Sequence, residues 1–301
     1  MNYLNTKSPL ILFEEARNTD IYVDKSMLMD KISSHIRTNS KYICITRPRR
    51  FGKTINASML GAYYTKGYNS SDLFNDLNIA QTGSYSSHLN CHNVIYMDLS
   101  QMPDECNQYH QYIASIRKKL RKDILENYSE LINDDYDSIS QLLKETEDSF
   151  IFILDEWDSI FYKKFMSQED KNAYLQFLKG LLKDQPYVEL AYMTGVLPIA
   201  KYSSGSELNM FDEFNFMNDN IYDLFFGFHE DEVRQLCQEY STVSYEEVKK
   251  WYDGYYLSDG RSLFNPRSVK NALLRGRCLN YWTETGPMNE IADCIEHNVD
   301  A

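Results

Sequence analysis

Four short apolar segments alternate with helical patterns along the first two thirds of the chain. The segments have the β-branched and aromatic content of buried strands, and they span residues 41–46, 93–99, 150–154 and 188–193. Between them, apolar side chains recur at helical spacing, as in Ile113, Ile116, Leu120 and Ile124. This alternation predicts an α/β fold, with a mainly parallel central sheet flanked by helices.

The pattern changes after residue 228, where only helical signals remain. Val233, Leu236 and Cys237 lie on one helical face. Ser244 is placed to cap a second helix, which Gly254 can end, and Asn265 followed by proline is typical of a third helix start. We therefore expect two domains, a core of residues 1–228 and a small helical lid subdomain of residues 229–301.

Composition and charge narrow the class of protein. The 301 residues are 43% hydrophobic and 25% charged, which is typical of a globular chain with a sizeable core. The net charge of −13 argues against broad non-specific binding of nucleic acid. We find no apolar run of membrane-spanning length, no secretory signal and no CxxC pair, so we expect a cytoplasmic protein with reduced thiols and no membrane partner.

A candidate phosphate-binding loop follows the first apolar segment. Residues 47–54 read Arg-Pro-Arg-Arg-Phe-Gly-Lys-Thr, and a helical pattern begins directly after them. Backbone N–H groups at such a helix start point at phosphates, Lys53 would reach the terminal phosphates, and the Thr54 hydroxyl would bind Mg²⁺. The candidate nucleotide-binding residues of this segment are Arg49, Arg50, Phe51, Gly52, Lys53, Thr54 and Ile55.

This loop departs from the usual pattern at its first position. The pattern G-x-x-x-x-G-K-[ST] has glycine where this chain has Arg47. If the loop needs a positive φ at that point, an arginine would be strained by roughly 1–2 kcal/mol. A chance Gly-Lys-Thr in a basic turn is the alternative interpretation.

An acidic pair ends the third apolar segment. Asp155 and Glu156 follow residues 150–154, at the edge of a parallel sheet where ligands bind. We expect Asp155 to hold Mg²⁺ through water, and Glu156 to act with Lys53 in catalysis by polarising the attacking water. Asp158 is more typical of a local helix cap. Thr194 ends the fourth segment, where it can sense the γ-phosphate or cap the turn at Gly195.

These motifs together resemble the AAA-ATPase-like family, which are P-loop ATPases of the AAA+ and archaeal ATPase type. The resemblance is carried by residues 22–25, 47–54, 154–156, 194–201 and 251–255. It implies an additional-strand fold, in which the strand of Thr194 lies between the strands of the phosphate loop and of Asp155. It also implies that Arg47 belongs to the family's own form of the loop, that Tyr22 lies near the adenine, and that Arg267 contacts the γ-phosphate. Core packing for Tyr22 and a solvated helix start for Arg267 are the alternatives.

The family commonly carries a PD-(D/E)XK nuclease domain, but we find no strand-borne Asp followed by Glu-x-Lys in the last quarter of this chain. We therefore expect Mg²⁺-dependent ATP binding and hydrolysis that regulates a partner, such as an effector or nuclease domain. The alternative is a nucleotide-dependent switch with little turnover. Nucleic-acid involvement, in processing or defence, and homo-oligomer formation stay open.

The histidines and cysteines raise the alternative of a metal site. His88, Cys91, His92, Cys106 and His110 contain metal-ligating side chains, but their spacing fits no zinc motif. We expect them not to form a metal site.

Overall fold

The chain divides into two compact units. The computed structural model describes residues 1–130, 138–202, 207–215, 219, 221–257 and 260–281. The first unit comprises Met1–Thr46 and Lys53–Asn215, and the second takes Arg47–Gly52 together with the described residues that follow Asn215. This division falls earlier in the chain than the boundary expected after residue 228. The assignment of residues 229–301 as a lid subdomain stays a prediction.

The first unit is built on a five-stranded parallel sheet. Its strands are β1 (Tyr42–Thr46), β2 (Asn93–Asp98), β3 (Phe150–Asp155), β4 (Val188–Gly195) and β5 (Asp212–Phe214). Their order is β2-β3-β4-β1-β5, and each neighbouring pair is parallel. The four predicted strands are confirmed. The position of β4 between β1 and β3 confirms the additional-strand arrangement.

The apolar runs of the sequence explain this sheet. Every residue of β1, β3 and β4 is buried, as strands covered on both faces require. The predicted helical face of Ile113, Ile116, Leu120 and Ile124 is buried in α5. The helices of this unit are α1 (Ser8–Arg17), α2 (Met27–Ser33), α3 (Lys53–Tyr64), α4 (Tyr85–His88), α5 (Tyr109–Asn127), α6 (Ile139–Glu145) and α7 (Gln168–Leu182).

The second unit contains three helices and a small antiparallel sheet. The helices are α8 (Glu230–Tyr240), α9 (Tyr245–Tyr252) and α10 (Pro266–Arg275), and the strands, in the order β6-β8-β7, are β6 (Phe228–His229), β7 (Tyr255–Tyr256) and β8 (Ser262–Phe264). The predicted helix starts are confirmed, since Ser244 accepts from the Glu247 N–H and Asn265 accepts from two N–H groups of α10. The sheet was not predicted, because strands of two or three residues leave no period to detect.

Two other details concern the helices. α9 ends at Tyr252, before Gly254, whereas α10 is followed by Gly276 in the left-handed conformation that commonly caps a helix. No helix in the described part of the chain combines the length and the apolar character needed to cross a membrane.

Candidate functional site

The carboxyl edge of the sheet brings the predicted acids of the first unit together. Asp155 is the last residue of β3, and the hydroxyl of Thr194 on neighbouring β4 donates to its Oδ1 over 3.1 Å. The Thr54 hydroxyl, in the first turn of α3, also hydrogen-bonds the Asp155 carboxylate. Three segments that are far apart in sequence therefore meet at one carboxyl group.

Burial controls the charge of Asp155. The residue is 1% exposed, and this desolvation raises the pKa of its carboxyl to about 6. Hydrogen bonding from Thr54 and the nearby Lys53 ammonium lower that pKa, while the negative charges of Glu156 and Asp98 raise it. The carboxylate thus lacks a full complement of positive charge, which is the environment that a bound cation stabilises.

The side chains at this edge fit a magnesium ion of the P-loop type. Mg²⁺ prefers oxygen ligands and usually takes only one or two from the protein, with water and phosphate oxygens completing its shell. Thr54 and Asp155 offer such oxygens. Within the described residues, no group of three or more His, Cys, Asp or Glu side chains is arranged to hold a metal. An ion held mainly by water and phosphate needs no such group.

Lys53 is the first residue of α3 and is 6% exposed. Its positive charge lowers the pKa of Asp155 and of Asp158, so the ammonium lies within the field of both carboxylates. An ammonium group at the start of a helix is suited to binding phosphate oxygens.

Glu156 follows Asp155 in a left-handed turn with a φ of +49°. Its backbone N–H donates to Asp155 Oδ1 over 3.1 Å, and the next N–H, that of Trp157, donates to the Thr194 carbonyl over 3.0 Å. The chain therefore reverses just past the strand while the Glu156 side chain stays half-buried. A partly solvated carboxylate beside a buried one is a suitable general base for water.

Asp158 takes the N-cap position of the 3-10 turn Ser159–Tyr162, as predicted, but its side chain does not make the capping hydrogen bond. Its Oδ2 instead accepts from the backbone N–H groups of Val196 and Leu197, over 3.0 and 3.2 Å, in the loop that follows β4. Asp158 is 1% exposed, and burial raises its pKa while these two bonds lower it. The Asp158 carboxylate therefore ties the loop after β4 to the segment that follows β3.

For Thr194, the sequence allows two roles, sensing the γ-phosphate and capping the turn at Gly195. The structure places the Thr194 hydroxyl on Asp155, so the threonine orients that carboxylate. Gly195 is needed for a different reason. A Cβ there would lie 2.5 Å from Trp157 Nε1 and 2.9 Å from Asp158 Oδ1.

Asp98 is a member of this edge that the sequence analysis missed. It ends β2 opposite Asp155 in the strand register, and it is one of the charges that raise the Asp155 pKa. Its carboxylate accepts from Ser100 and Gln101 over 2.6–3.0 Å. The signal was present in the sequence, because Asp98 closes an apolar segment just as Asp155 does.

The loop residues Arg47–Gly52 belong to the second unit. Arg49 is exposed, Arg50 has a φ of +71° and donates to the Tyr281 carbonyl over 3.4 Å, and Gly52 has a φ of +88°. The Phe51 side chain is fully buried beside Leu257 and Leu263. It packs in a core, so only the backbone of Phe51 can bind nucleotide as predicted.

The expected strain at Arg47 is absent. Among the described residues with a positive φ, Arg50 and Gly52 belong to this loop and Arg47 does not. Arg47 is instead buried and forms an ion pair with Asp219. The residue that replaces the first glycine therefore carries a packing role of its own.

The contacts of the described residues do not decide the remaining predicted nucleotide contacts. Tyr22 is half-buried against Phe13, with the Arg17 guanidinium 5.3 Å from its ring centroid. Ile55 is 45% exposed on α3. Arg267 is exposed in the first turn of α10, in the second unit. Their binding to nucleotide stays a prediction.

The histidines and cysteines do not gather into a metal site in the described residues. His88 Nδ1 lies 2.9 Å from His92 Nε2, and His92 Nδ1 lies 2.7 Å from the buried Glu189 carboxylate. This chain of hydrogen bonds runs from His88 through His92 to Glu189 at the start of β4, at the opposite end of the strands from Asp155.

Three features are typical of the P-loop class of nucleotide-binding proteins. They are a parallel sheet with an inserted strand, a lysine and a threonine at the start of α3, and an acid pair at the end of β3. Residues 11–204 match the model of the AAA-ATPase-like family, which is described as "Predicted AAA-ATPase". The chain belongs to this family, and membership supports nucleotide binding in general. The resemblance noted at residues 251–255 lies outside the matched part.

Other comparisons add little. No curated protein matches the sequence. Among solved structures, PCH-2 from C. elegans is 14% identical with a TM-score of 0.34, covering 96% of this chain and 73% of that one. The ORC2 protein of Aeropyrum pernix, in ADPNP and ADP complexes, is 10% identical with a TM-score of 0.37, covering 96% of this chain and 72% of that one.

Proposed function

We propose that this protein binds ATP with Mg²⁺ and hydrolyses it, and that the cycle regulates a partner or effector domain. The observation that carries the proposal is the convergence of Thr54 and Thr194 on the buried carboxylate of Asp155. A buried acid held by one hydroxyl from the helix after the phosphate loop and another from the inserted strand links phosphate binding to the metal.

Each residue at this edge then has a distinct task. Lys53 binds the β- and γ-phosphate oxygens and neutralises charge that develops there. Asp155 and Thr54 hold the ion, which when bound supplies positive charge to the phosphates. Glu156 orients a water molecule and accepts its proton as the water attacks the γ-phosphorus. ADP leaves with the electrons of the broken P–O bond.

Glu156→Gln tests this assignment. The variant keeps the size and polarity of the side chain but cannot accept the proton, so we expect kcat to fall by about 100-fold or more while the Kd for ATP changes little. Phosphate release and a nucleotide-induced thermal shift with Mg²⁺ measure the two quantities. Glu169→Gln, at an exposed position in the first turn of α7, is the matched control.

The outcomes separate the functions. Loss of nucleotide binding in Lys53→Ala, with loss of turnover in Glu156→Gln, supports an ATPase. Saturable ATP binding by the unmodified protein without phosphate release indicates the nucleotide-dependent switch instead. A protein that shows no thermal shift with Mg²⁺ and ATP contradicts both. Repeating the phosphate-release assay with duplex DNA tests a role in nucleic-acid processing or defence.

A further inference from the structure

The arginine that stands in place of the first loop glycine is one of the most deeply buried charged residues of the second unit. Arg47 is 1% exposed and is paired with Asp219, whose side chain is fully buried. The Arg47 guanidinium also lies 5.0 Å from the ring centroid of Phe226, which places a flat cation against an aromatic face. Such burial is not expected for an arginine whose task is to reach a solvent-borne phosphate.

The partner of Arg47 is itself fixed. Asp219 Oδ1 accepts from the backbone N–H groups of Ile221 and Tyr222 over 2.7 and 2.8 Å, while Oδ2 takes the guanidinium. Both carboxylate oxygens are thus occupied. A buried ion pair is well supported when its remaining hydrogen-bonding capacity is met in this way.

A second anchor lies four residues further along the loop. Phe51 is fully buried with Leu257 and Leu263, and its ring centroid lies 4.9 Å from that of Tyr255 in an edge-on contact. The Phe51 carbonyl accepts from the Gly227 N–H over 3.1 Å. The loop is therefore attached to the second unit by a side chain near each end.

Two loop residues near these anchors have left-handed backbone geometry. Arg50 lies between Arg47 and Phe51, and Gly52 directly follows Phe51. Arg50 has a φ of +71° and Gly52 a φ of +88°. The direction of the N–H groups in a phosphate loop depends on such backbone angles. Attachment at Arg47 and Phe51 restricts the angles between them without help from glycine at position 47.

Glycine at position 47 would not improve this loop. Arg47 has no positive φ that a glycine would relieve. Its removal would leave the Asp219 carboxylate buried without its cation and would free the loop backbone. The usual phosphate-loop pattern and the structure therefore make opposite predictions for the same substitution.

We propose that Arg47 is a positioning residue, whose buried ion pair with Asp219 holds the loop in its nucleotide-binding conformation. Replacing Arg47 by the glycine of the usual pattern then weakens nucleotide binding. The proposal rests on the proposed function, because it concerns the affinity of the same loop for nucleotide.

The test compares Kd values for the fluorescent analogue mant-ATP with Mg²⁺, in variants checked for folding by circular dichroism. We expect Arg47→Gly to raise Kd by about ten-fold or more. The double variant Arg47→Met with Asp219→Asn removes both buried charges and keeps an oxygen that accepts from Ile221 and Tyr222. We expect its Kd to return to within about three-fold of the unmodified protein, since packing on Phe226 is retained.

Arg37→Gly is the matched control. Arg37 also pairs with a buried carboxylate, that of Glu189 over 2.9 Å, but it precedes β1 at the opposite edge of the sheet from Asp155. It has a φ of +60°, so glycine fits its backbone. We expect this variant to change thermal stability and leave the mant-ATP Kd unchanged.

Three results would overturn the proposal. The first is that Arg47→Gly binds mant-ATP as tightly as the unmodified protein or more tightly, and the second is that Arg37→Gly weakens binding equally. The third is that the folded double variant binds mant-ATP about ten-fold more weakly than the unmodified protein. The last result would make Arg47 a direct phosphate ligand, and it decides the question even if Arg47→Gly does not fold. Absence of binding by the unmodified protein contradicts the proposed function itself and is distinguished in this way.

Discussion

The acidic edge and the loop of residues 47–52 hold their charged side chains in place by different means. At the edge, Asp155 is oriented by hydrogen bonds from Thr54 and Thr194 within a single unit. In the loop, Arg47 and Phe51 are buried in the other unit. These two side chains restrict the conformation of the backbone between them. Orientation at the edge is local to the sheet, whereas in the loop it depends on the fold of the second unit.

The largest effect that separates the two regions is expected for Phe51→Ala. Deleting a fully buried phenylalanine costs about 3–5 kcal/mol. We expect this loss in the second unit, measured as faster amide hydrogen exchange in α8 and α10, and not in the strands of the sheet. Tyr256→Ala, a 56% exposed aromatic in β7, is the control and should cost less than about 0.5 kcal/mol. Equal acceleration in both units would remove the distinction.

Asp155→Asn tests the edge. We expect kcat/KM for ATP to fall by about 100-fold or more, because the carboxylate proposed to hold Mg²⁺ is lost. The free energy of unfolding without nucleotide should rise at pH 8 by about 1–3 kcal/mol, since burial raises the pKa of Asp155 to about 6 and the ionised form is therefore disfavoured in the fold. Urea titration measures it. A destabilised variant would show that the ionised acid holds the edge together.

Asp158 should show a smaller effect that depends on hydrogen bonding. Asp158→Ala removes the acceptor for Val196 and Leu197, and we expect kcat to fall by about ten-fold with a small change in KM. Asp158→Asn keeps an oxygen acceptor and should recover most of the activity. If both variants lose activity equally, the charge of Asp158 matters, and the residue belongs with Asp155.

The smallest effect concerns pH. With the pKa of Asp155 near 6, the ionised fraction falls about four-fold between pH 7.5 and 5.5, so Mg²⁺-dependent nucleotide binding should weaken by about that factor at subsaturating Mg²⁺. The contribution to stability has the opposite sign. The folded-state pKa exceeds the unfolded value of about 3.9, so this group stabilises the fold increasingly as pH falls through 6. A nucleotide Kd that does not change with pH would contradict the predicted effect on binding. The same pH dependence of Kd in Asp155→Asn would also contradict it.

The sequence was informative where the place of a residue follows from the local order of strand, loop and helix. The apolar run before Asp155 identified β3 and its terminal acid, and Lys53 and Thr54 followed from their place between a strand and a helix. The partners of Arg47 and Asp158 were not predictable in this way. Asp219 is 172 residues from Arg47, and Asp158 binds N–H groups 38 and 39 residues away. Such contacts depend on which loops meet, and no period in the chain records that.

The close packing of Trp157 on Gly195 gives this protein an optical property. The indole is fully buried, its Nε1 has no hydrogen-bond partner among the described residues, and Glu156 precedes it directly. Indole emission responds to local polarity, so any shift of the β4 loop that admits water would move the Trp157 spectrum to the red. The chain has three tryptophans. With Trp251 and Trp282 replaced by phenylalanine, Trp157 would be the remaining fluorescent indole. It directly follows the acid pair and packs on the inserted strand, so its emission wavelength would report changes at this edge of the sheet without an added dye.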